Sequence, residues 1–383
     1  MKILYIINRM TNLAGIERIL TCKMNYLSEN THYHIILITY EQQGRPLSFQ
    51  KNENVIHCPI SVTIPIRKGS SIVEWLKAYY HARKVFRREF DHLINDIRPD
   101  IIICTVYSFM ILDIIINTAH KVGAKTILES HTQGETVTIA YKYSYNRLLY
   151  RLFSLWDKYI MFNLKQCNCV VTLTKHDMAY WQHYTQRIEV IPNMLTITPI
   201  RVIDYNAKRV ISAGRYMYEK GFDRLLEAWH LLSKEYNDWH LYIFGNEDRT
   251  PYQLIVDQYD MNDRVHLMPA TNDIAEEFSK SSIYVMSSRY EGFGLVLAEA
   301  MSCGLPCVSF DCPYGPREII RNGEDGFLVN NGNVQALALA LEQLMDDSEL
   351  RQAMGLHASQ NIIRYSQDTI MKQWLSLFQS MMK

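Results

Sequence analysis

Ser288–Phe310 reads SRYEGFGLVLAEAMSCGLPCVSF, directly after the short apolar run Ile283–Met286. Glu291 is expected to end a strand, Gly292-Phe293-Gly294 to form a turn, and Leu295–Ser302 to be a helix. The next strand then starts in the apolar run Pro306–Ser309. Strand, glycine turn, helix and strand make a βαβ unit, which belongs in a parallel sheet. Two carboxylates, Glu291 and Glu299, flank the turn. Carboxylates accept hydroxyl hydrogen bonds and turn amides donate to oxygen, a combination that suits a polyhydroxyl ligand. Glutamate in the first turns of a helix is common by itself and accounts for Glu299 taken alone. The ordered string as a whole points to a ligand.

The same alternation extends in both directions. Before residue 200, strands are expected at Lys2–Ile7, His34–Tyr40, Val55–Pro59, Asp100–Thr105, Lys125–Glu129, Cys169–Leu173 and Ile188–Ile191. After it they are expected at Arg209–Ala213, Trp239–Phe244, Val265–Met268, Ile283–Met286, Pro306–Ser309 and Gly326–Val329, with helical patterns between, such as Phe222–Tyr236. The pattern breaks between Pro192-Asn193 and Asp204. The fold class is therefore α/β, with two Rossmann-like doubly wound domains facing across a cleft. The first spans 1–197, the second 198–365, and a C-terminal helix occupies 366–383. Ligands of such sheets gather beyond the carboxyl ends of the strands.

Glycine placement directs attention to the second domain. Only five of the sixteen glycines precede residue 200, and Gly214, Gly245, Gly292 and Gly294 follow or adjoin predicted strands. Glycine there lets backbone amides approach phosphate or sugar oxygens at a helix N-terminus. No G-x-G-x-x-G follows the first strand and no G-x-x-x-x-G-K-[ST] occurs, which argues against dinucleotide and P-loop sites.

The chain carries 40 Lys+Arg and 40 Asp+Glu, so its formal net charge is zero. That sum hides an asymmetry: residues 1–200 carry a net +8 and residues 201–383 a net −8. A basic half suggests a polyanionic or membrane-surface partner. Met1–Ile7 is too short for a signal-peptide core and is expected to be the first strand. Ile101–Ile116, broken by Thr105, Ser108 and Asp113, falls short of the ~20 residues that span a bilayer and suits a strand turning into a helix. The eight cysteines lack metal-ligand or framework spacing, so buried free thiols and a cytosolic protein are expected.

Ser212–Gly221 (SAGRYMYEKG) places Arg215 after a strand-end glycine and Lys220 before another glycine that opens a helix. Two cations beside a helix N-terminus can clamp a diphosphate, although a solvated surface pair is the default for isolated charges. Gly214-Arg215 with Glu219-Lys220-Gly221, the Glu291 and Glu299 pair, and Pro192-Asn193 together resemble the family 4 retaining glycosyltransferases of the GT-B fold. The resemblance covers nearly the whole chain and is strongest over 208–330. It implies that Arg215 and Lys220 bind a donor diphosphate, Glu291 the donor-sugar hydroxyls and Glu299 the ribose hydroxyls. The amides of Phe293, Gly294 and Leu295 would meet sugar or phosphate, and Met268 would lie at the base pocket. Gly15 matches a loop that in the family usually reads Gly-Gly, with Ala14 a departure from it. His131 matches the family's active-site histidine near the sugar C6.

Phe310–Ile320 (FDCPYGPREII) resembles relatives that use UDP-glucose, UDP-galactose or UDP-N-acetylgalactosamine. The resemblance implies transfer of a hexose or N-acetylhexosamine, with retention, to a lipid-linked glycan acceptor in bacterial capsule, lipopolysaccharide or exopolysaccharide synthesis. The sequence holds no Asp-x-Asp, so no metal and no cofactor is expected. A catalytically silent homologue and a sugar-nucleotide epimerase are the alternatives. Basic residues recur with aromatics in Ser71–Ile97 (Lys77, Arg83, Lys84, Arg87, Arg88) and in Tyr141–Lys165 (Lys142, Arg147, Arg151, Lys158, Lys165). They suit an anionic membrane surface, although a solvated helix face with aromatics in the core fits the second stretch equally. No nucleic-acid-binding signature accompanies them. Peripheral attachment to the inner membrane face through the N-terminal domain is expected. The last stretch, with Ile370, Trp374, Leu377 and Phe378 near one face, is expected to pack as a helix that by family precedent returns to the first domain.

Overall fold

The computed structural model describes residues 1–12, 14–65, 71–105, 110–132, 134, 147–185, 187–197, 203–232 and 235–383, without the side chains of 72, 147–149, 152 and 156. The chain divides into two compact units. One comprises Met1–Pro192 with Met371–Lys383, and the other comprises Asn193–Ile370.

The first unit runs β1 (Lys2–Ile7), α1 (Gly15–Asn30), β2 (His34–Thr39), β3 (Ile56–Pro59), α2 (Ile72–Ile97), β4 (Ile101–Thr105), α3 (Leu112–Val122), β5 (Lys125–Ser130), α4 (Arg147–Leu164), β6 (Cys169–Thr172), α5 (Lys175–Trp181) and β7 (Ile188–Val190). Its seven strands lie in the order β3-β2-β1-β4-β5-β6-β7, and every pairing is parallel. β4 (IIICT) is buried along its whole length, as a strand covered on both faces by helices must be. On α2, Phe86, Phe90 and Ile94 recur every fourth residue and pack into this core.

The second unit contains β8 (Arg209–Ala213), α6 (Phe222–Leu232), β9 (His240–Gly245), α7 (Thr250–Gln258), β10 (Val265–Pro269), α8 (Ile274–Ser279), β11 (Ile283–Met286), α9 (Leu295–Ser302), β12 (Cys307–Asp311), α10 (Pro316–Ile319), β13 (Gly326–Asn330), α11 (Val334–Asp346) and α12 (Ser348–Asn361). α13 (Gln367–Met381) follows, and from Met371 onward it belongs to the first unit. The six strands order as β10-β9-β8-β11-β12-β13, again all parallel. α6 packs on α11, burying Leu225, Leu226 and Trp229 with Leu337, Leu341 and Leu344.

Each sheet starts at its third position and winds outward both ways, so the connections diverge between β1 and β4 and between β8 and β11. Loops that leave a sheet in opposite directions open a crevice at that point. Pairing of Ile283 with Val210 and of Tyr284 with Ile211 brings the loops after Ala213 and Met286 side by side.

The structure corrects one element that bears on the site. Glu291 does not end a strand, because β11 stops at Met286. Ser287 Oγ instead donates to the Lys220 carbonyl at 3.0 Å, and the Arg289 amide donates to the Glu219 carbonyl at 2.8 Å. The Arg289 amide, which a longer strand would place in the ladder, is thus taken by the loop after β8. Within Ile101–Ile116, β4 is followed by α3, with Ser108 outside the described residues. The stretch Tyr141–Lys165 holds α4, with Lys142 and the side chains of Arg147 and Trp156 outside the described residues. All eight cysteines are free. No helix among the described residues is long and apolar enough to cross a membrane.

Candidate functional site

In the second unit the loops after β8 and β11 interlock through glycines. Gly221 has φ +62, and a Cβ there would lie 2.2 Å from the Ser287 carbonyl oxygen. Only glycine allows the start of α6 to lie against the end of β11. A side chain at Gly214 would press on the Lys220 stem at 3.2 Å. Lys220 is thereby laid across the crevice, where its Nζ donates to Glu291 Oε1 at 2.7 Å. Ser288 Oγ donates to the same oxygen at 2.6 Å. The Lys220 and Glu291 side chains are 19% and 11% exposed, so each keeps an accessible edge.

The turn carrying Glu291 rests on a second strained segment. The Glu291 amide donates to the Pro313 carbonyl at 3.2 Å. Tyr314 has φ +63 and Gly315 φ +122, and a Cβ on Gly315 would lie 2.1 Å from the Phe293 oxygen. Gly294, at φ +93, occupies the N-cap of α9, whose first intrahelical bond runs from the Ala298 amide to the Gly294 carbonyl. The amides from Leu295 onward therefore precede that bond and face the loop, carrying the partial positive charge of a helix start.

The remaining predicted residues are distributed around this pair. Arg215 does not join it: half-exposed, it pairs with Glu219 at 2.9 Å. Glu299 is buried within α9, and its Oε1 accepts from the Thr196 hydroxyl. The Met268 carbonyl accepts from Tyr216 at 2.9 Å, and the same hydroxyl donates to the Ile243 carbonyl at 2.6 Å. Burial pushes that phenol well above its ordinary range. Phe293 is buried with its ring edge-on to Tyr365, so its backbone, not its ring, is the part open to a ligand.

Sequence reasoning missed Arg289. Its guanidinium forks onto Asp223 at 2.8 and 2.6 Å, donates to the Tyr218 carbonyl at 2.7 Å and covers the Tyr218 ring at 3.9 Å. Burial would raise the Asp223 carboxyl, but the bonds from Arg289 outweigh it and hold it below its usual range. Arg289 therefore fixes the Lys220 loop to the Glu291 loop. The available signal was an arginine two residues before Glu291 in the most informative stretch.

Gly15 and His131 belong to the first unit. Gly15 begins α1 behind Ala14, which offers no side-chain cap, leaving the first-turn amides to another acceptor. His131 follows β5 with its side chain 4% exposed, its Nε2 lying 3.2 Å from Glu129 Oε1. Glu129 also holds the ammonium of Lys23. Burial would raise the Glu129 carboxyl, but Lys23 and His131 outweigh it and bring it to about 2. The loop is clamped from behind by Asp177, which accepts from Ser130 Oγ at 2.8 Å, the Gly134 amide at 2.8 Å and Trp181 Nε1 at 3.0 Å.

Comparison with known proteins follows this division. Residues 13–197 match the model for Glycosyltransferase Family 4, and residues 196–361 match that for Glycosyl transferases group 1. An uncharacterized glycosyltransferase of Haemophilus influenzae is 33% identical over 236 residues, 61% of this chain and 66% of that protein. The amylovoran biosynthesis glycosyltransferase AmsD of Erwinia amylovora is 26% identical over 97% of this chain and 98% of its own. A Staphylococcus aureus TarM variant, solved with fondaparinux, α-GlcNAc-glycerol and UDP, superposes with a TM-score of 0.65 at 25% identity, covering 78% of this chain and 59% of that one.

Proposed function

The chain belongs to the GT-B glycosyltransferases, and from that premise we propose a retaining, metal-independent transferase of bacterial surface-polysaccharide synthesis. It moves a hexose or N-acetylhexosamine from UDP-galactose, UDP-N-acetylgalactosamine or UDP-glucose to a glycan acceptor carried on a lipid. The observation that carries this reading is the Lys220–Glu291 contact at the divergence of β8 and β11, a cation for phosphate held against a carboxylate for hydroxyls. The UDP of the TarM complex and the near full-length likeness to AmsD support the donor class and the pathway class.

In this mechanism Lys220 and Arg215 face the diphosphate, and the first amides of α9 add their partial charge. These groups stabilise the negative charge that grows on the leaving diphosphate as the glycosidic bond breaks. Glu291 orients the sugar by accepting from its hydroxyls, Glu299 takes the ribose, and His131 meets the sugar near C6. The acceptor hydroxyl attacks from the face that the diphosphate leaves, and a donor phosphate oxygen receives its proton. Gly15, opening α1, offers backbone amides to the phosphate or the acceptor.

The test is a thermal-stabilisation screen of UDP- and GDP-sugars, followed by transfer assays with the donor that stabilises most. Glu291→Gln should keep the fold, read by circular dichroism, and lower kcat by about 10²-fold or more. Near-wild-type transfer by this variant would falsify the assignment.

A further inference from the structure

Behind His131 lies a charged cluster that the proposed transfer step does not use. Lys23, two turns beyond Gly15 on the inward face of α1, is 1% exposed. Its ammonium meets Glu129 Oε1, lies 3.9 Å over the Trp374 ring of α13 and stands 5.8 Å from the Tyr5 ring of β1. The same glutamate oxygen faces His131 Nε2. The titratable groups facing Glu129 are thus Lys23 from α1, Tyr5 from β1, Cys104 from β4 and His131 from its own loop.

A fully buried ion pair adds little to stability, because desolvating both charges cancels most of their attraction. An apolar pair of similar volume does as well or better. Stability alone therefore does not account for the charges on Lys23 and Glu129. What the pair does accomplish is electrostatic: with Lys23 in place, the imidazole faces a neutralised carboxylate rather than a bare one. A bare carboxylate at that distance would draw the ring into the imidazolium form.

We propose that Lys23 is a positioning residue for His131: by neutralising Glu129 it lets that carboxylate sit 3.2 Å from the Nε2 side of the ring as a paired rather than a bare charge. Trp374 completes the arrangement by covering the ammonium with a ring face, where a cation is favoured. The inference rests on the reading of His131 as a group that meets the donor sugar.

The test uses the full chain with two opposed substitutions. Lys23→Met leaves Glu129 alone beside the ring, and Glu129→Gln leaves Lys23 alone. With histidine labelled by nitrogen-15, and the His131 signal assigned by its loss in His131→Gln, the ring's titration midpoint should rise by about one pH unit in Lys23→Met and fall in Glu129→Gln. Simple damage to packing cannot move the two in opposite directions. With the UDP-sugar that stabilises the protein most, kcat should fall at least about tenfold in Lys23→Met while KM stays within about threefold. Lys23→Arg, which keeps the charge, should retain the wild-type midpoint. In Lys23→Met/Glu129→Leu, thermal stability should recover and kcat should not. Midpoints that stay still or move together, or a double variant that regains kcat with its stability, overturn the proposal. Wild-type transfer by His131→Gln overturns the histidine's place in the proposed function and removes the proposal with it, a result distinct from an unmoved titration.

Discussion

Lys220 and Arg215 are both cations of one loop, yet the structure gives them unequal standing. Lys220 lies across Gly214 with its stem packed and its ammonium on Glu291, whereas Arg215 is 49% exposed and, among the described residues, pairs with Glu219. A prepositioned charge stabilises a transition state more than one that must be ordered first, and an exposed pair is screened by water. Lys220→Ala should therefore lower kcat by about 10²-fold, and Arg215→Ala by about tenfold, in parallel assays with one UDP-sugar. Equal losses would show that the two cations contribute alike. None of this ranking was legible in the sequence, where both appear as single cations next to glycines. The partners that decide it lie far along the chain, with Glu291 71 residues from Lys220 and Asp223 66 residues from Arg289. Side-chain periodicity carries no signal over such separations.

At the scale of elements the sequence was far more informative. Every strand of both sheets falls on one of the runs expected to be strands, the edge strands β3 and β7 being less apolar than the rest, and α9 spans Leu295–Ser302 as its pattern predicts. Such runs are legible because a parallel strand covered on both faces must be continuously apolar. β11 matches the expected run Ile283–Met286, but Glu291 proved to lie in a loop beyond it, where the Arg289 amide bonds to the distant Glu219 carbonyl. Two glycines test whether turn geometry holds the site. Gly315→Ala places a Cβ 2.1 Å from the Phe293 oxygen at φ +122, whereas Gly323→Ala enters open space at φ +80. Chemical denaturation should show a loss of about 3 kcal/mol for the first and about 1 kcal/mol for the second. Only the first should also depress transfer, because it alone displaces the turn that carries Glu291.

At the scale of the whole molecule, neutrality is the sum of two oppositely charged halves. The basic half exposes apolar side chains on two helices, Leu76 and Tyr80 on α2 and Leu155, Tyr159 and Phe162 on α4. Lys84, Arg87 and Arg88 share α2, and Arg151 and Lys158 share α4, all of them exposed. Arg83 does not contribute, since it is held by Asp113 at 2.5 Å, and Phe153 is buried in the core. Cations and aromatic rings side by side favour anionic headgroups. The protein should co-sediment with phosphatidylglycerol vesicles at low salt, release as salt rises, and bind less after Lys84, Arg87 and Arg88 are changed to Glu. Absence from the vesicle pellet at low salt would sink the membrane-surface reading. A different consequence follows from the make-up of the first unit, which combines Met1–Pro192 with Met371–Lys383. The half that leaves the ribosome first is thus completed last, after all of the second unit has been synthesised. Until Trp374 arrives, Lys23 lacks the nearer of its two rings, so a chain cut short before that residue leaves the ammonium less covered.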